Sequence, residues 1–285
     1  MNIVYLILHY MAGADTVECI ESILKASEDT VHNIKIVVVD NGSPNDSYGF
    51  LQEKYNGNEN IVLLHNEDNL GFAKGNNLGF EYAKNNLNAD FIVMLNNDTI
   101  ISQQDFNEVL VRKYEEESYG VLGPDIVTAD GYHQNPGSKQ GWELSELQIY
   151  RLKKRIQKVL CLSSKYANKK ANSRGEYRKT TLMGDVKNTI LHGACLIFSP
   201  IYIQMFDGIC KDTFLYMEED ILKLYSDHYG FLMMYSSDLS ILHKEDVATD
   251  MIVETTSAKM RQKYEYIIQS SKVYTRLKKE FKRQH

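Results

Sequence analysis

Four short apolar runs, each rich in branched side chains, alternate with helix-like segments along the first third of the chain. The runs are continuous, which is typical of strands buried on both faces of a sheet. Strands and helices in this order, joined by short connections, predict a parallel sheet with right-handed crossovers. We therefore expect an α/β fold with a mostly parallel central sheet flanked by helices. The predicted strands are 2–8, 34–39, 61–64 and 90–95, and the helices between them include 15–25 and 73–86.

Polar residues follow each predicted strand. His9 ends the first run, Asp40 the second and His65 the third, and the string Asn96-Asn97-Asp98 follows the fourth. Ligands of open parallel sheets bind beyond the carboxyl ends of the strands. We expect these side chains to gather along one edge of the sheet.

The second half of the chain is less regular. It contains a Gly- and Pro-rich loop, a strand-like run, a helix that begins near Glu218, a second strand and a long C-terminal helix. We expect one catalytic domain over 1–250, with a ligand-binding half at 1–125 and a second half at 126–250, followed by a helical extension at 251–285. The loop is 128–142, the strand-like runs are 190–198 and 231–242, and the last helix begins near 257.

Composition excludes several classes of protein. The chain contains no apolar run near the ~20 residues that a membrane span needs. No basic leader precedes the first strand, so we expect a cytoplasmic protein. The four cysteines lack CxxC spacing, which argues against both a zinc site and a disulfide framework. The net charge of −6 also makes nucleic-acid binding a distant alternative.

A basic segment interrupts this acidic chain. Residues 151–179 hold eleven Lys or Arg and one acid, Glu176. In the helical pattern over 147–160, one face carries apolar side chains. Such a helix either lies on an anionic membrane surface, reaching the inner face of the cell membrane, or forms part of a solvated insertion at 147–180. The apolar positions are Ile149, Leu152, Ile156, Val159 and Leu160.

Asp98 is a candidate cation ligand. It comes directly after an apolar strand, and a carboxylate fixed there can bind a hard divalent cation that keeps positions open for phosphate oxygens. The alternative is an ordinary polar turn, because Asn and Asp favour tight turns for conformational reasons.

Asp40 and the segment 69–79 are candidates for nucleotide binding. A carboxylate at the end of a strand can accept hydrogen bonds from a base or a ribose, although it can also be a simple turn residue. The segment 69–79 is dense in Gly and Asn where a helix should begin, so its free amides can face an anion. It has neither the Rossmann nor the P-loop spacing, which argues against a dinucleotide enzyme or an NTPase.

Two further features lie in the second half. The triplet Glu218-Glu219-Asp220 follows an apolar-aromatic run and begins a helix. Acids at that position are often simple dipole partners, but an acid beside aromatic side chains can have a raised pKa and act as a general base. His243 ends the last predicted strand; it is either a packed histidine or, if it faces Asp98, a ligand.

Taken together, these strings resemble the inverting glycosyltransferases of family 2, which have the Rossmann-like GT-A fold. The resemblance spans residues 1 to about 245, and the subgroup it resembles most is the rhamnosyltransferase-like enzymes of bacterial surface polysaccharides. The matching strings are Val37-Val38-Val39-Asp40-Asn41-Gly42-Ser43, Asn69-Leu70-Gly71-Phe72-Ala73-Lys74-Gly75-Asn76-Asn77, Leu95-Asn96-Asn97-Asp98, His192-Gly193-Ala194-Cys195 and Phe214-Leu215-Tyr216-Met217-Glu218-Glu219-Asp220.

The resemblance implies a role for each matched residue. Glu219 falls at the position of the catalytic base, with Asp220 as the alternative and Glu218 beside it. Asp98 and His243 would face a Mg or Mn ion, although Asn96 replaces the first acid of the family's DxD motif and leaves one carboxylate. Gly193 and Ala194 would border the acceptor. The donor side comprises His9, Asp40, Asn69, Gly71, Lys74, Asn77, Asn96 and Asn97.

These features predict transfer of a sugar, with inversion, from a nucleotide-diphosphate sugar to a saccharide or lipid-linked acceptor in polysaccharide synthesis. A nucleotidyltransferase also uses a strand-end acid and a metal, but it would normally show a Gly-rich signature near the N-terminus, which Leu8-His9-Tyr10-Met11-Ala12 lacks. The other alternative is a non-catalytic protein that binds nucleotide-sugars.

Overall fold

The computed structural model describes residues 1–171, 180–245 and 255–284. The last part of the predicted insertion 147–180 and the predicted boundary between 250 and 251 lie outside these ranges. Among the described residues, no helix is both long enough and apolar enough to span a membrane. The four cysteines are free, and three of them are buried.

The N-terminal half has the predicted alternation of strands and helices. Strands β1 to β4 lie parallel in the order β3-β2-β1-β4, which confirms the expected parallel sheet for this half. The elements are β1 (Asn2–His9), α1 (Gly13–Ala26), β2 (Asn33–Asp40), α2 (Ser47–Tyr55), β3 (Ile61–His65), α3 (Phe72–Asn86) and β4 (Phe91–Asn96).

The C-terminal half extends the same sheet with strands of both directions. Beyond β4 the order continues β8-β6-β9-β5, and β7 pairs with β9. β4 and β6 lie antiparallel to β8, whereas β6 and β9 are parallel. The elements are β5 (Thr99–Ile100), α4 (Phe106–Glu117), β6 (Val121–Thr128), α5 (Leu144–Leu160), α6 (Ser164–Ala171), β7 (Asp185–Lys187), β8 (Cys195–Phe198), α7 (Pro200–Met205), α8 (Glu218–Tyr229), β9 (Met233–His243) and α9 (Thr256–Phe281).

The apolar run at 190–198 is a strand only over its last four residues. Its first part is irregular: the backbone of Ile190 bonds to the loop at Gly137 and Ser138, and His192 N–H donates to Asn135 Oδ1 at 2.7 Å. These partners lie more than fifty residues away in sequence. The apolar run therefore predicted that a strand is present here. Hydrogen bonds to residues distant in sequence keep 190–192 outside the strand.

Both faces of the sheet are buried, which explains the continuous apolar runs. Ile3, Tyr5 and Ile7 of β1 pack with α1 and α4 in one core cluster. Val4 and Leu6 of the same strand pack with α3 on the opposite face. A side chain on either face of β1 is thus removed from water.

Helix α9 packs against α5 and α8. Tyr274, Leu277 and Phe281 of α9 form a cluster with Leu147 of α5 and Ile221 of α8. The C-terminal helix therefore supports the two helices that lie beside the irregular second half of the sheet.

Helix α3 approaches the sheet closely at Gly79. A Cβ atom on Gly79 would overlap Cδ1 of Leu6 and lie 2.8 Å from Cγ2 of Val39. We expect Gly79→Ala to lower the free energy of unfolding by about 1–3 kcal/mol, because the added methyl displaces packed side chains of β1 and β2. Denaturant unfolding measures this change. Gly49→Ala in α2 is the matched control, because its Cβ would meet only the flexible carboxylate of Asp46; equal losses in both variants would contradict the packing argument.

Candidate active site

The ends of the parallel strands meet as the sequence predicts. His9 lies beside Asp40 in the β1–β2 register, and Asp40 lies beside His65 in the β2–β3 register. Asn96 ends β4 next to Leu8 of β1. The predicted polar residues therefore share one edge, and their side chains decide what that edge can bind.

Asp40 is fully buried at this edge and is already hydrogen bonded. Its carboxylate accepts from the hydroxyl of Ser43 at 2.5 Å and lies 2.8 Å from Nδ1 of His65. The ring of His65 is partly exposed and stacks on Tyr48, with 4.6 Å between ring centroids. Asp40 thus holds a flat aromatic pair at the surface, a shape that suits a planar nucleobase. Sequence reasoning did not identify Tyr48.

His9 lies at the end of β1 and contacts residues of α1 and α2. It is fully buried, with Nδ1 2.7 Å from Thr16 Oγ1 and Nε2 2.8 Å from Ser47 Oγ. Burial lowers the pKa of His9 to about 4, so the ring is neutral at physiological pH. Both ring nitrogens already have partners, so His9 joins β1 to α1 and α2 in place of the predicted donor contact.

The Asn69–Gly71 turn closes against the second half of the chain. Asn69 Oδ1 accepts from Gly71 N–H at 2.9 Å and from Asn41 Nδ2 at 3.0 Å. Gly71 has a φ of +81°, and a Cβ there would lie 2.5 Å from the carbonyl oxygen of Phe214. Only glycine fits at this position. The close contact holds the turn against the segment that precedes the acidic triplet.

Lys74 and Asn77 both lie in α3. Lys74 is exposed on the outer side of α3 and lines a cavity of about 500 Å³ together with Lys211 and Arg276. The side-chain amide of Asn77 bonds to both the N–H and the carbonyl of Ile209, each at 2.8 Å. The side-chain amide of Asn77 is therefore already bonded within the fold, whereas Lys74 faces this cavity.

The turn after β4 holds Asp98 in place. Asn97 Nδ2 donates to Thr16 Oγ1 at 3.0 Å, and Thr99 Oγ1 donates to the Asn96 carbonyl at 2.7 Å. The carboxylate of Asp98 lies 3.3 Å from Nε2 of His243. The pair that the sequence predicted conditionally therefore meets in the fold.

The orientation of His243 is fixed by Gln134, which sequence reasoning missed. Gln134 Nε2 donates to Glu245 at 2.7 Å, so its oxygen is the atom that faces His243 Nδ1, also at 2.7 Å. His243 therefore carries a proton on Nδ1, and its Nε2 faces Asp98. Histidine ligands of metals are commonly oriented in this way.

Asp98 and His243 fit as two ligands of a divalent cation. Neighbouring ligands at about 2.1 Å from an octahedral ion lie about 3 Å apart, close to the observed 3.3 Å. Over residues 1–171, 180–245 and 255–284, no three His, Cys, Asp or Glu side chains are placed to hold a metal ion. A cation here would therefore need further ligands beyond the acid and histidine side chains of the described residues.

The segment 192–194 connects this pair to the acidic triplet. The partly buried ring of His192 lies 5.8 Å from that of His243, and desolvation lowers the pKa of His192 to about 4. The Ala194 carbonyl accepts from Asn96 N–H at 3.0 Å. On the other side, Gly193 N–H donates to Glu219 Oε1 at 3.1 Å.

The three acids of the triplet have different surroundings. Glu219 faces Gly193, whereas Asp220 accepts from the Trp142 indole N–H at 2.9 Å. Glu218 is buried, and its Oε1 has no hydrogen-bond partner among the described residues. Trp142 is the last residue of the Gly- and Pro-rich loop 128–142, and it approaches α8 only in the folded chain.

Burial raises the pKa of all three carboxyl groups. The pKa of Glu218 rises to about 8 and that of Asp220 to about 7, in both cases through desolvation first and the charge of Glu219 second. Desolvation also raises the pKa of Glu219. A base with a raised pKa accepts a proton more readily once it is ionised, which suits general base catalysis near neutral pH.

The backbone that presents the triplet is strained. Tyr216 and Met217, just before α8, have φ values of +72° and +68°. Non-glycine residues adopt this conformation at a cost, and it persists where the surrounding structure enforces it. The contact of Gly71 with Phe214 and the packing of Met217 against α9 hold the segment from both sides.

Comparison with known proteins gives consistent matches. The family model described as glycosyl transferase family 2 matches residues 6–198. The glycosyltransferase GlyG of Streptococcus pneumoniae serotype 4 is 31% identical over 115 residues, which cover 40% of this chain and 36% of that protein. The low-salt glycan biosynthesis hexosyltransferase Agl10 of Haloferax volcanii is 26% identical over 117 residues, 38% of this chain and 36% of that protein. The matches thus span about a third of each relative.

Solved structures show the same fold. S. aureus TarS 1-349 in complex with UDP-GlcNAc has a TM-score of 0.53 at 15% identity, covering 90% of this chain and 61% of that one. The complex of the same TarS fragment with UDP has a TM-score of 0.54 at 14% identity, covering 93% and 71%. The likeness confirms the expected GT-A fold.

Glu218 gives the stability of the chain a distinctive pH dependence. Its pKa is about 8 when folded and about 4.3 in an unfolded chain, so between these values the folded chain binds a proton that the unfolded chain has released. Stability therefore falls as the pH rises through this window. Glu218→Gln removes this dependence. Between pH 5 and pH 8, the free energy of unfolding of the variant minus that of the wild type should therefore increase with pH.

This difference in the free energy of unfolding should increase by at most about 1.4 kcal/mol per pH unit. Denaturant unfolding of both chains at several pH values measures it, with Glu59→Gln at an exposed site as the control. A constant difference between Glu218→Gln and the wild type across this range would contradict the buried, protonated state.

Proposed function

Since this chain belongs to glycosyl transferase family 2, we propose that it transfers a sugar from a nucleotide-diphosphate sugar to an acceptor hydroxyl, with inversion, in glycan synthesis. The observation that carries the proposal is the link between two groups of residues. Gly193 N–H holds Glu219, and the next peptide, through Ala194, bonds the β4 end that carries Asp98. A base and a diphosphate site therefore lie along one segment of backbone.

The donor lies along the strand ends in this proposal. The partly exposed pair of His65 and Tyr48 would stack on the base, and the buried Asp40 would keep His65 oriented. Asp98 and His243 would face the diphosphate. A divalent cation held by these two residues would neutralise charge on the diphosphate as it leaves.

Glu219 is the base in this proposal. Its carboxylate takes the proton of the acceptor hydroxyl while the hydroxyl oxygen bonds to the anomeric carbon and the bond from that carbon to the diphosphate breaks. One displacement from the opposite face inverts the configuration. The bond from Gly193 N–H fixes one carboxylate oxygen and leaves the other for the acceptor. Asp220 is the alternative base, and its Oδ1 accepts from the Trp142 indole N–H.

The acceptor would lie beside Gly193 and Ala194. A Cβ on Gly193 would lie 2.6 Å from Glu219 Oε1, so this position has no space for a larger residue. We propose a saccharide or a lipid-linked saccharide as the acceptor. A lipid-linked acceptor would place the reaction at the cytoplasmic face of a membrane.

For the donor, the named relatives support a hexosyl or N-acetylhexosaminyl nucleotide. Agl10 is described as a hexosyltransferase, and the TarS structures contain UDP-GlcNAc or UDP. The resemblance to rhamnosyltransferase-like enzymes adds a deoxyhexosyl nucleotide as a third class. A screen of these nucleotide-sugars for release of nucleoside diphosphate, with and without Mg or Mn, identifies the donor.

Glu219→Gln tests the base. With the donor from this screen, we expect transfer to fall by about 10²–10⁴-fold, because the amide cannot take the proton, while donor affinity measured by calorimetry stays within about twofold. The amide oxygen can still accept from Gly193 N–H, so the fold around the site is kept. Asp220→Asn is the matched comparison and should retain most of the activity.

The reverse pattern, with Asp220→Asn inactive and Glu219→Gln active, would identify Asp220 as the base. A wild-type chain that binds donors but releases no nucleoside diphosphate, even with acceptors supplied, would be a binding protein and would overturn the proposed function.

Asp98→Asn tests the diphosphate site. We expect donor affinity in the presence of Mn or Mg to fall by about 10–100-fold, because the one carboxylate of the turn is lost. The difference between affinities measured with metal and with a chelator should also disappear in this variant. Asp29→Asn, at an exposed turn, is the control. A wild-type chain whose donor affinity is the same with metal and with chelator would contradict the cation site.

A further inference from the structure

Helix α5 has two different faces, and its inner face is packed against α9. Leu147 is fully buried, Arg151 donates to Ser271 and Thr275 of α9, and Lys158 pairs with Glu265 at 2.6 Å. At about 100° per residue, these side chains of α5 fall within one narrow arc of the helix. The helix is therefore docked on the body of the protein, and its orientation is fixed.

The outer face of α5 is apolar and exposed. We call this face, together with Leu162 just beyond the helix, the α5 stripe; its side chains are 45% to 65% exposed. Single exposed apolar residues are ordinary, but a continuous row on one helix face is typical of a site that contacts a membrane or another protein. The α5 stripe consists of Ile149, Leu152, Ile156, Val159, Leu160 and Leu162.

Positive charges border the α5 stripe. In the helical projection Lys153 lies on one side of the row and Arg155 on the other, and both are exposed. Helix α6, which follows α5 in the chain, also carries the exposed Lys165 and Lys169. Cations at the edge of an apolar row are the arrangement by which interfacial helices bind anionic lipid.

A groove continues this surface between α5 and α9. It has a volume of about 380 Å³, and Val159, Leu162 and Ile268 contribute apolar side chains to its lining. Arg155, Lys158, Arg261 and Lys272 also line it. The single acid of the lining, Glu265, is paired with Lys158. The groove therefore combines an apolar lining with excess positive charge, which suits a phosphate headgroup and the start of its acyl chain.

We propose that the α5 stripe and the adjoining groove form a docking surface for an anionic lipid bilayer. A second copy of this chain fits less well, because a two-fold contact between stripes would bring Lys153 and Arg155 close to the same cations of the partner. A bilayer offers the complementary charge, and it accepts apolar side chains beside cations. Each Lys or Arg near an anionic surface adds to the attraction.

Flotation with lipid vesicles tests the surface. The wild-type chain should bind vesicles of phosphatidylcholine with about a third phosphatidylglycerol, bind pure phosphatidylcholine weakly, and lose part of the binding in high salt. Leu152→Gln/Ile156→Gln should lower the partition coefficient by about tenfold or more, because two side chains no longer insert. Val31→Gln/Met183→Gln, at exposed apolar sites elsewhere, should bind like the wild type.

Two controls separate this surface from catalysis. Glu219→Gln should bind vesicles like the wild type, and Leu152→Gln/Ile156→Gln should release nucleoside diphosphate from a soluble donor at the wild-type rate. Circular dichroism confirms that the variant retains its helices. Wild-type binding that is absent, or that is unaffected by the α5 substitutions, overturns the proposal. Concentration-dependent self-association that the same substitutions abolish, without vesicle binding, overturns it in favour of a second copy.

Discussion

The hydrogen bond from Gly193 N–H to Glu219 joins the two halves of the candidate site. Glu219 lies at the start of α8, whereas the predicted donor edge is formed by the ends of β1 to β4. The peptide that follows bonds to the end of β4 through the Ala194 carbonyl, so the position of the carboxylate is set by the sheet. The contact of Gly71 with Phe214 holds the segment before α8 against the same edge.

The segment 216–220 combines several features that lower the stability of the fold, and packing elsewhere compensates for them. Three adjacent carboxyl groups are desolvated, and the two residues before them have left-handed backbone. Each of these features destabilises a small protein when considered alone. They persist because α9 packs against Met217 and Ile221, and because Gly71 closes on Phe214. A raised proton affinity beside a fixed N–H donor is what proton transfer at neutral pH needs.

The sequence predicts those parts of the molecule that depend on local patterns. The alternating strands and helices, the shared edge and the order of the functional strings follow from apolar runs and from what comes directly after them. The structure adds partners that are distant in sequence: Gln134 orients His243, Trp142 holds Asp220, and Tyr48 stacks on a histidine. The loop pattern at 128–142 contains Gln134 and Trp142 but does not distinguish them from their neighbours, and no pattern marks Tyr48. Conversely, His9 had the right position for a ligand, but burial and two hydrogen bonds give it another role.

Helix α5 connects the outer surface to the acidic triplet through one packed helix. Its outer face carries the α5 stripe, while Trp142, just before its first turn, donates to Asp220 next to Glu219. The indole also packs on Tyr150 of the helix, and Lys278 of α9 donates to the Trp142 carbonyl. The distance from the stripe to the triplet is therefore set by helix packing and not by a flexible linker. Because helix packing holds the α5 stripe in place, the carboxylates of the triplet would lie at a fixed distance from a bilayer bound to the stripe.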